Sequence, residues 1–249
     1  MSEKYENSQS QLLILADFSD GKWHAASFAM QFLFKEKSSI SLLQTYQKPG
    51  FGHFMMRKLN HHLKAVSIHE LSALKAKLLT KFKIAKQKVK TISLEGELVT
   101  VLNYGQLIKR SYYVVLSTFN SFVDSCSRQN RCLDKIINTA NNPLFILPKN
   151  FEEGVNSKIL FVGNPEIIPS RQLCNQILEI CSKTKSKLEI LFVRIKQKQK
   201  IDGEMENYYN RCFKNIGYSI NYIEGKTKCK GIKKYLNNID RDLIIIQNN

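Results

Sequence analysis

Short apolar segments alternate with amphipathic ones along the first half of the chain. Residues 12–17 form a compact apolar run that ends in Asp-Phe-Ser-Asp, and a buried parallel strand has this composition. Ser19 or Asp20 can cap the helix that follows, because a short polar side chain there accepts a bond from a free backbone N–H. The pattern then predicts a strand at 40–46, a long helix at about 55–86, a strand at 90–95, a short helix at 99–109, a strand at 112–117, a helix at 128–140 and a strand at 144–147.

The same alternation starts again after a polar segment at 149–157. It predicts a strand at 158–163, a helix at 171–182, a strand at 188–195, a helix at 204–215, a strand at 218–223, a helix at 229–236 and a strand at 242–246. A pattern that repeats in this way indicates a duplicated architecture. The chain is therefore predicted to contain two tandem units, at 1–149 and 150–249.

Strands that alternate with helices predict an α/β fold, in which each unit is an open parallel sheet with helices on both faces. Right-handed crossovers leave few topologies for such a sheet. Ligands in these folds bind beyond the carboxyl ends of the strands, where the strand order reverses. The residues that follow each strand are therefore where a site is expected.

No apolar run approaches the ~20 residues that cross a bilayer, and residues 1–11 are polar, so we expect a cytoplasmic protein without membrane association. Six cysteines are present and no two form a CxxC pair, which favours small buried side chains in a reducing compartment over a metal or redox site. These are Cys126, Cys132, Cys174, Cys181, Cys212 and Cys229.

The net charge of +17 raises the question of whether the protein binds a polyanion. The basic excess is spread over the whole chain, and its densest stretch is 75–90, which carries seven lysines. A surface of this kind attracts nucleic acid or anionic lipid. A lysine-rich helix face in water explains the same pattern, so the charge alone leaves both interpretations open.

Several of these segments resemble the universal stress protein family. Residues 12–19, with the helix after them and the strand at 40–46, resemble the opening of that fold, whose first strand ends in an Asp-x-Ser signature. Residues 112–118 resemble its fourth strand and 142–148 its fifth. The resemblance covers nearly the whole chain and implies a tandem member with a Rossmann-like, adenine nucleotide α-hydrolase-like fold of strand order 3-2-1-4-5.

Members of that family that bind ATP carry G-x2-G-x9-G-[S/T] after the fourth strand. The glycines let backbone N–H groups approach the phosphates, and the next helix N-terminus favours negative charge. In this chain the four motif positions fall on Ser117, Asn120, Asn130 and Arg131, so all three glycines are missing. The resemblance therefore implies that ATP binding of the family's usual kind is lost.

Some family positions still suit a nucleotide. Asp17 matches the first-strand Asp that meets the nucleotide, Thr45 is a further degenerate position, and the Arg131 side chain can contact a phosphate. Asp17 can equally cap the next helix, and Arg131 can face water. Binding of ATP or AMP at the first unit stays an alternative. It would use these three residues together with Ser117, Asn120 and Asn130.

The second unit departs further from the family. Its first strand ends in Gly163-Asn164-Pro165, so Asn164 replaces the Asp. The sequence ends just after the strand at 242–246, so we expect the second unit to lack the phosphate loop, the last helix and the fifth strand. The strand at 242–246 would then be an apolar edge, which is prone to aggregation, and we expect the first unit or a partner chain to cover it.

Other chemistry has little support in the sequence. No GxSxG, HExxH or P-loop motif occurs, and the four clustered histidines lack metal-ligand spacing; these are His53, His61, His62 and His69. We therefore expect no catalytic residue, no metal and no cofactor. The leading hypothesis is a non-enzymatic, stress-response module that acts through a protein partner or as a homodimer. A nucleotide sensor and a basic nucleic-acid-binding protein are the alternatives.

Overall fold

The computed structural model describes residues 11–16, 21–46, 55–98, 100–101, 111–118, 135–137, 142–148, 158–195, 203–236 and 242–247. The chain divides into two compact units, Met1–Val115 and Leu116–Asn249, and the boundary between them lies within a strand.

The first half of the chain contains five strands and two long helical segments in its described part. They are β1 (Gln11–Leu15), α1 (Gly21–Phe28), a π-helical turn (Ala29–Leu33), β2 (Ser39–Tyr46), α2 (Met55–Phe82), a 3-10 turn (Lys86–Lys88), β3 (Val89–Glu95), β4 (Ser111–Thr118) and β5 (Leu144–Pro148). The strands agree with the apolar runs that predict them. The predicted helices at 99–109 and 128–140 lie mostly outside the described residues.

The second half repeats the alternation with four strands and three helices in its described part. They are β6 (Lys158–Gly163), α3 (Arg171–Thr184), β7 (Lys187–Arg194), α4 (Gly203–Phe213), β8 (Tyr218–Glu224), α5 (Lys228–Leu236) and β9 (Leu243–Ile246). Helix α3 begins where predicted because the Ser170 hydroxyl accepts a bond from the backbone N–H of Leu173 at 3.2 Å. It ends at Lys185, whose left-handed backbone stops the helix.

The two repeats have the same strand order. The first follows β3-β2-β1-β4-β5, and the second follows β8-β7-β6-β9. Neighbouring strands pair in parallel from β1 to β2 and β3, and from β6 to β7, β8 and β9. The predicted α/β class and the strand order 3-2-1-4-5 are confirmed.

The last strand is covered on both sides. Leu243 to Ile246 of β9 pair in parallel with β6, and three residues of the same strand pair antiparallel with β5 through Phe145 and its neighbours. All four residues of β9 are buried. The expectation that something covers this apolar strand is therefore confirmed, and the cover is β5, the strand that ends the first repeat.

The division into compact units differs from the repeat boundary predicted at 149/150. The first compact unit ends at Val115, within β4, and β5 is grouped with the second half of the chain. The physical reason is the antiparallel pairing of β5 with β9, which ties the end of the first repeat to the last strand. The repeat boundary at 149/150 is based on sequence periodicity and stays a prediction.

Helix α5 approaches β7 closely at Gly231. A Cβ atom added there would lie 2.3 Å from Cγ1 of Val193, which is nearer than non-bonded atoms can come. A Cβ on Gly225, just before the helix, would lie 2.8 Å from the Gly231 Cα. Gly231 is therefore required by the packing of this helix on the sheet, and Gly225 by its close approach to the backbone at the start of the helix.

We expect Gly231→Ala to lower the free energy of unfolding by about 1–3 kcal/mol, because the added methyl group overpacks the contact with Val193. The matched control is Gly203→Ala at the start of α4, where an added Cβ meets no atom within 4 Å. That control is expected to change stability by less than about 0.5 kcal/mol. Urea denaturation of the full chain measures both, and equal effects of the two substitutions would contradict the packing argument.

Candidate functional site

Two of the six candidate nucleotide-binding residues lie in the described part of the chain. Thr45 is half-buried in β2, and Ser117 is buried in β4 with a hydroxyl that has no hydrogen-bond partner among the described residues. They belong to different compact units. The remaining candidates lie outside the described residues; these are Asp17, Asn120, Asn130 and Arg131.

The structure adds Gln44, which the sequence analysis missed. Its side chain is 1% exposed, and neither its amide oxygen nor its amide nitrogen has a partner among the described residues. Leaving a buried amide without hydrogen bonds costs about 1–3 kcal/mol, so a residue of this kind is unusual in a strand. Gln44 immediately precedes Thr45 near the carboxyl end of β2. A water molecule or a small polar ligand would satisfy it.

Gln44 lies beside a polar contact between the sheet and α2. It is in register with Ser93 of β3, whose hydroxyl is 2.8 Å from the hydroxyl of Ser67 on α2. Two helix turns before Ser67, the side-chain amide nitrogen of Asn60 donates to a Glu95 carboxylate oxygen at 2.9 Å. The amide oxygen of Asn60 is buried without a partner in the described part of the chain. Polar side chains therefore meet near the carboxyl ends of β2 and β3.

In the second unit, the side chain of Gln247 occupies the position between the carboxyl ends of β6 and β9. Its amide oxygen accepts a bond from the backbone N–H of Asn164 at 3.1 Å, and its amide nitrogen donates to the carbonyl of Ile167 at 2.8 Å. Its own backbone N–H donates to the carbonyl of Val162 at 2.9 Å. Gln247 is only 3% exposed. The side-chain oxygen and nitrogen of Gln247 are thereby both used in bonds within the protein.

Asn164 and Lys228 complete this arrangement. The Asn164 side-chain oxygen accepts a bond from the backbone N–H of Glu166 at 2.9 Å, so it orders the loop after β6. The Lys228 ammonium donates to the backbone carbonyl of Gln247 at 2.9 Å. Burial lowers the pKa of Lys228 from its usual value, because a buried ammonium is poorly solvated. The cation is therefore held against Gln247 at the start of α5.

Aromatic side chains fill the space behind the end of β6. Tyr209 is fully buried and stacks on Phe213, and its ring also meets Phe192 edge-on. A Cβ on Gly163 would lie 2.7 Å from the Phe192 ring and 3.0 Å from the Tyr209 hydroxyl oxygen. Gly163 must therefore be glycine to accommodate these rings, which leave no room for a side chain at the last residue of β6.

The described cysteines are packing residues. Cys174, Cys181 and Cys229 are buried and Cys212 is half-buried, and all four are free thiols. Burial raises the pKa of Cys181 to about 12, and burial together with the neighbouring Cys212 raises the pKa of Cys174 to about 12. Both thiols therefore stay protonated at neutral pH, which makes them poor nucleophiles. Cys126 and Cys132 lie outside the described residues.

Among the described residues, His, Cys, Asp and Glu side chains nowhere form a group of three that could hold a metal ion. His61, His62 and His69 are exposed on α2, and His53 lies outside the described residues. None of the helices in the described part of the chain is both long and apolar enough to cross a membrane.

We expect Gln247→Ala to lower the free energy of unfolding by about 1–3 kcal/mol, because it removes the bonds that the buried Gln247 side chain makes with the N–H of Asn164 and the carbonyl of Ile167. The matched control is Gln172→Ala on the exposed side of α3, which should change stability by less than about 0.5 kcal/mol. Urea denaturation of the full chain compares them. If Gln247→Ala were as mild as the control, the bonds of this side chain would not stabilise the strand ends.

No model of a known protein family matches this sequence, and none of the curated proteins matches it. Solved structures do. The chain superimposes on a universal stress protein from Archaeoglobus fulgidus with a TM-score of 0.55 and 10% identity, over 97% of each chain. A functionally unknown protein from Pseudomonas aeruginosa aligns over 97% of this chain and 93% of its own, with 12% identity and a TM-score of 0.49. A universal stress protein family member from Burkholderia pseudomallei aligns over 57% of this chain and 98% of its own, with 14% identity and a TM-score of 0.45.

The alignment with the first of these structures covers both chains almost completely, which agrees with the presence here of two repeats that have the same strand order. This chain therefore has the fold of the universal stress proteins, as the resemblance of its sequence predicted.

Proposed function

We propose that this protein is a non-enzymatic module of the universal stress protein kind, which acts in the cytoplasm through contacts with a protein partner or with a second copy of itself. In this proposal, ATP binding of the family's usual kind has been lost and no cofactor replaces it. Fold alone does not fix function, so the proposal depends on the strand ends, where this fold class binds ligands.

The observation that carries the proposal is the position of Gln247. In an open α/β sheet, a nucleotide would lie beyond the carboxyl ends of strands such as β6 and β9. The Gln247 side chain already bonds to Asn164 and Ile167 at that place, and Lys228 is held on its carbonyl oxygen. A nucleotide would have to break these bonds before it could bind.

The sequence after β4 supports the same proposal for the first repeat. The family's glycine positions are occupied by Ser117, Asn120 and Asn130, and no glycine occurs between Gly105 and Gly154. Side chains at these positions keep backbone N–H groups away from a phosphate, and each added Cβ also restricts the turn that a phosphate loop needs. Both repeats therefore depart from what phosphate binding requires, the first in its sequence and the second in the contacts of Gln247.

We expect ATP with Mg²⁺ at about 5 mM to shift the thermal midpoint of the full chain by less than about 1 °C. A ligand that binds only the folded state at 100 times its dissociation constant stabilises it by about 2.7 kcal/mol, which is a shift of several degrees. Differential scanning fluorimetry with ATP, AMP and an equal concentration of Mg²⁺ alone makes the measurement. A reproducible rise of several degrees with ATP or AMP would overturn the loss of nucleotide binding.

Gln44 favours a second candidate function, an adenine-nucleotide sensor that uses the first repeat. A buried amide with unused donors and acceptors can recognise a planar, polar group such as a nucleobase edge. Thr45 is next to it, and Asp17 and Arg131 would supply the contacts that the resemblance implies for the rest of a nucleotide. In this candidate, the side chains replace the backbone N–H groups of the family's phosphate loop.

Gln44→Met separates the two candidates, because methionine has a similar shape and no unpaired amide. Without ligand, we expect this substitution to raise the free energy of unfolding by about 1–3 kcal/mol, since the cost of the buried unpaired amide is removed. A decrease of that size would show that the amide has a partner such as an ordered water. If ATP stabilises the natural protein and not Gln44→Met, the sensor is supported and the leading proposal is wrong.

A further inference from the structure

A segment of the first unit carries a dense excess of positive charge. From Leu71 to Leu94 the chain has no Asp or Glu and has seven lysines. These residues belong to the second half of α2, the 3-10 turn and β3, which follow one another without a gap in the described structure. We call the seven lysines the basic face; they are Lys75, Lys77, Lys81, Lys83, Lys86, Lys88 and Lys90.

The charge of the basic face is not neutralised within the described part of the chain. No described carboxylate forms an ion pair with any of the seven lysines, and the ion pair nearest in sequence joins Lys22 to Glu70 at 2.5 Å. Five of the seven are exposed. The two that are half-buried, Lys75 and Lys88, donate to the neutral backbone carbonyls of Val89 and Glu36, so their charges also remain uncompensated.

Several of these lysines are held in position. The ammonium of Lys77 lies 3.9 Å from the ring centroid of Trp23, and that of Lys81 lies 5.2 Å from the same centroid. Cation–π contacts of this kind contribute about 0.5–1 kcal/mol at exposed sites and fix the direction of a flexible side chain. Positioned cations lose less entropy when they bind an anion than free ones do.

The basic face also has a shape that suits a chain of anions. An open groove of about 610 Å³ lies between α2 and the start of β3. Its lining includes Lys75 on the helix, Lys86 on the 3-10 turn and Lys90 on the strand, together with the polar side chains of Gln87 and Thr91. Cations on three consecutive elements therefore line one shallow, open groove, where phosphates spaced along a backbone could meet several of them at once.

We propose that the basic face binds the sugar–phosphate backbone of nucleic acid without sequence preference. Lysine ammonium groups are point charges that match phosphate oxygens, and their binding releases the counterions condensed on a nucleic acid. A membrane surface is a poorer match, because none of the exposed large apolar residues in the described chain lies between Lys75 and Lys90. Membrane-bound basic surfaces usually carry such residues to enter the bilayer.

The test uses the full chain and fluorescence anisotropy with fluorescein-labelled 20-nucleotide RNA and 20-base-pair DNA. The test variant carries Lys77→Gln, Lys81→Gln, Lys86→Gln and Lys90→Gln. The matched control carries four exposed substitutions in the second unit, Lys187→Gln, Lys214→Gln, Lys230→Gln and Lys234→Gln. Both variants lose the same charge, so only the place of the loss differs.

If about four lysines contact phosphates, the affinity for duplex DNA falls roughly 100-fold between 50 and 200 mM salt. The test variant should then bind at least about tenfold more weakly at 50 mM salt, and its salt dependence should be much flatter, whereas the control should keep the steep salt dependence. A triple variant with Lys83→Gln, Lys86→Gln and Lys90→Gln keeps both Trp23 contacts and should show an intermediate loss. Circular dichroism checks that each variant is folded.

Three outcomes would overturn this proposal. One is the absence of binding to either nucleic acid at 50 mM salt, and another is an equal loss of affinity in the test and control variants. The third is binding to vesicles with 30% phosphatidylserine at 200 mM salt, where nucleic acid no longer binds, which would assign the surface to a membrane. None of these outcomes depends on ATP, so this test and the nucleotide test succeed or fail separately.

Discussion

The parallel pairing of β9 with β6 is the interaction on which the second unit depends. The pairing is fixed at both ends by side chains: Asp242 accepts a bond from the backbone N–H of Lys158 at 2.7 Å, and Gln247 accepts one from Asn164 at 3.1 Å. A slip of one residue would break both bonds and turn the apolar side chains of β9 to the opposite faces. With this register fixed, the other edge of β9 is free to pair with β5. The same register that buries β9 also brings the Gln247 side chain to the carboxyl ends of β6 and β9. The burial of β9 and the position of Gln247 at the strand ends therefore have the same cause.

Much of the fold could be predicted from the sequence, because strands that are buried on both faces consist of compact runs of apolar residues. β6 has the predicted bounds, and β9 begins one residue later than predicted. The antiparallel pairing of β5 with β9 could not be predicted in the same way. Both strands are short apolar runs, and nothing in their local composition distinguishes one neighbour from another. The choice of partner depends on contacts between residues about 100 positions apart, which periodicity does not record.

A residue of the candidate site could be predicted where it stands at a position that the family's motif defines. It could not be predicted where its role depends on whether the fold buries it. Asn164 could be identified because it stands where an Asp is expected. Gln247 could not, because a polar residue after a strand is ordinarily exposed to water, whereas this one is 3% exposed. Gln44 is the one side-chain amide in β2, which is only a weak indication of a site. The alternation of polar and apolar residues does not show that both faces of that strand are buried. Burial, which depends on the tertiary structure, decides the role of each.

Protection of a sheet edge explains only part of the lysine pattern in the first unit. Lysines beside an outer strand discourage pairing with another chain, and Lys86, Lys88 and Lys90 flank or lie in the outer strand β3. However, Lys77 and Lys81 lie on α2 over Trp23, where they shield no strand edge. The outer strand of the second unit, β8, contains no lysine, and the guanidinium of Arg194 lies 4.8 Å from the ring centroid of its exposed Tyr222. Lys77 and Lys81 therefore exceed what protection of an edge requires.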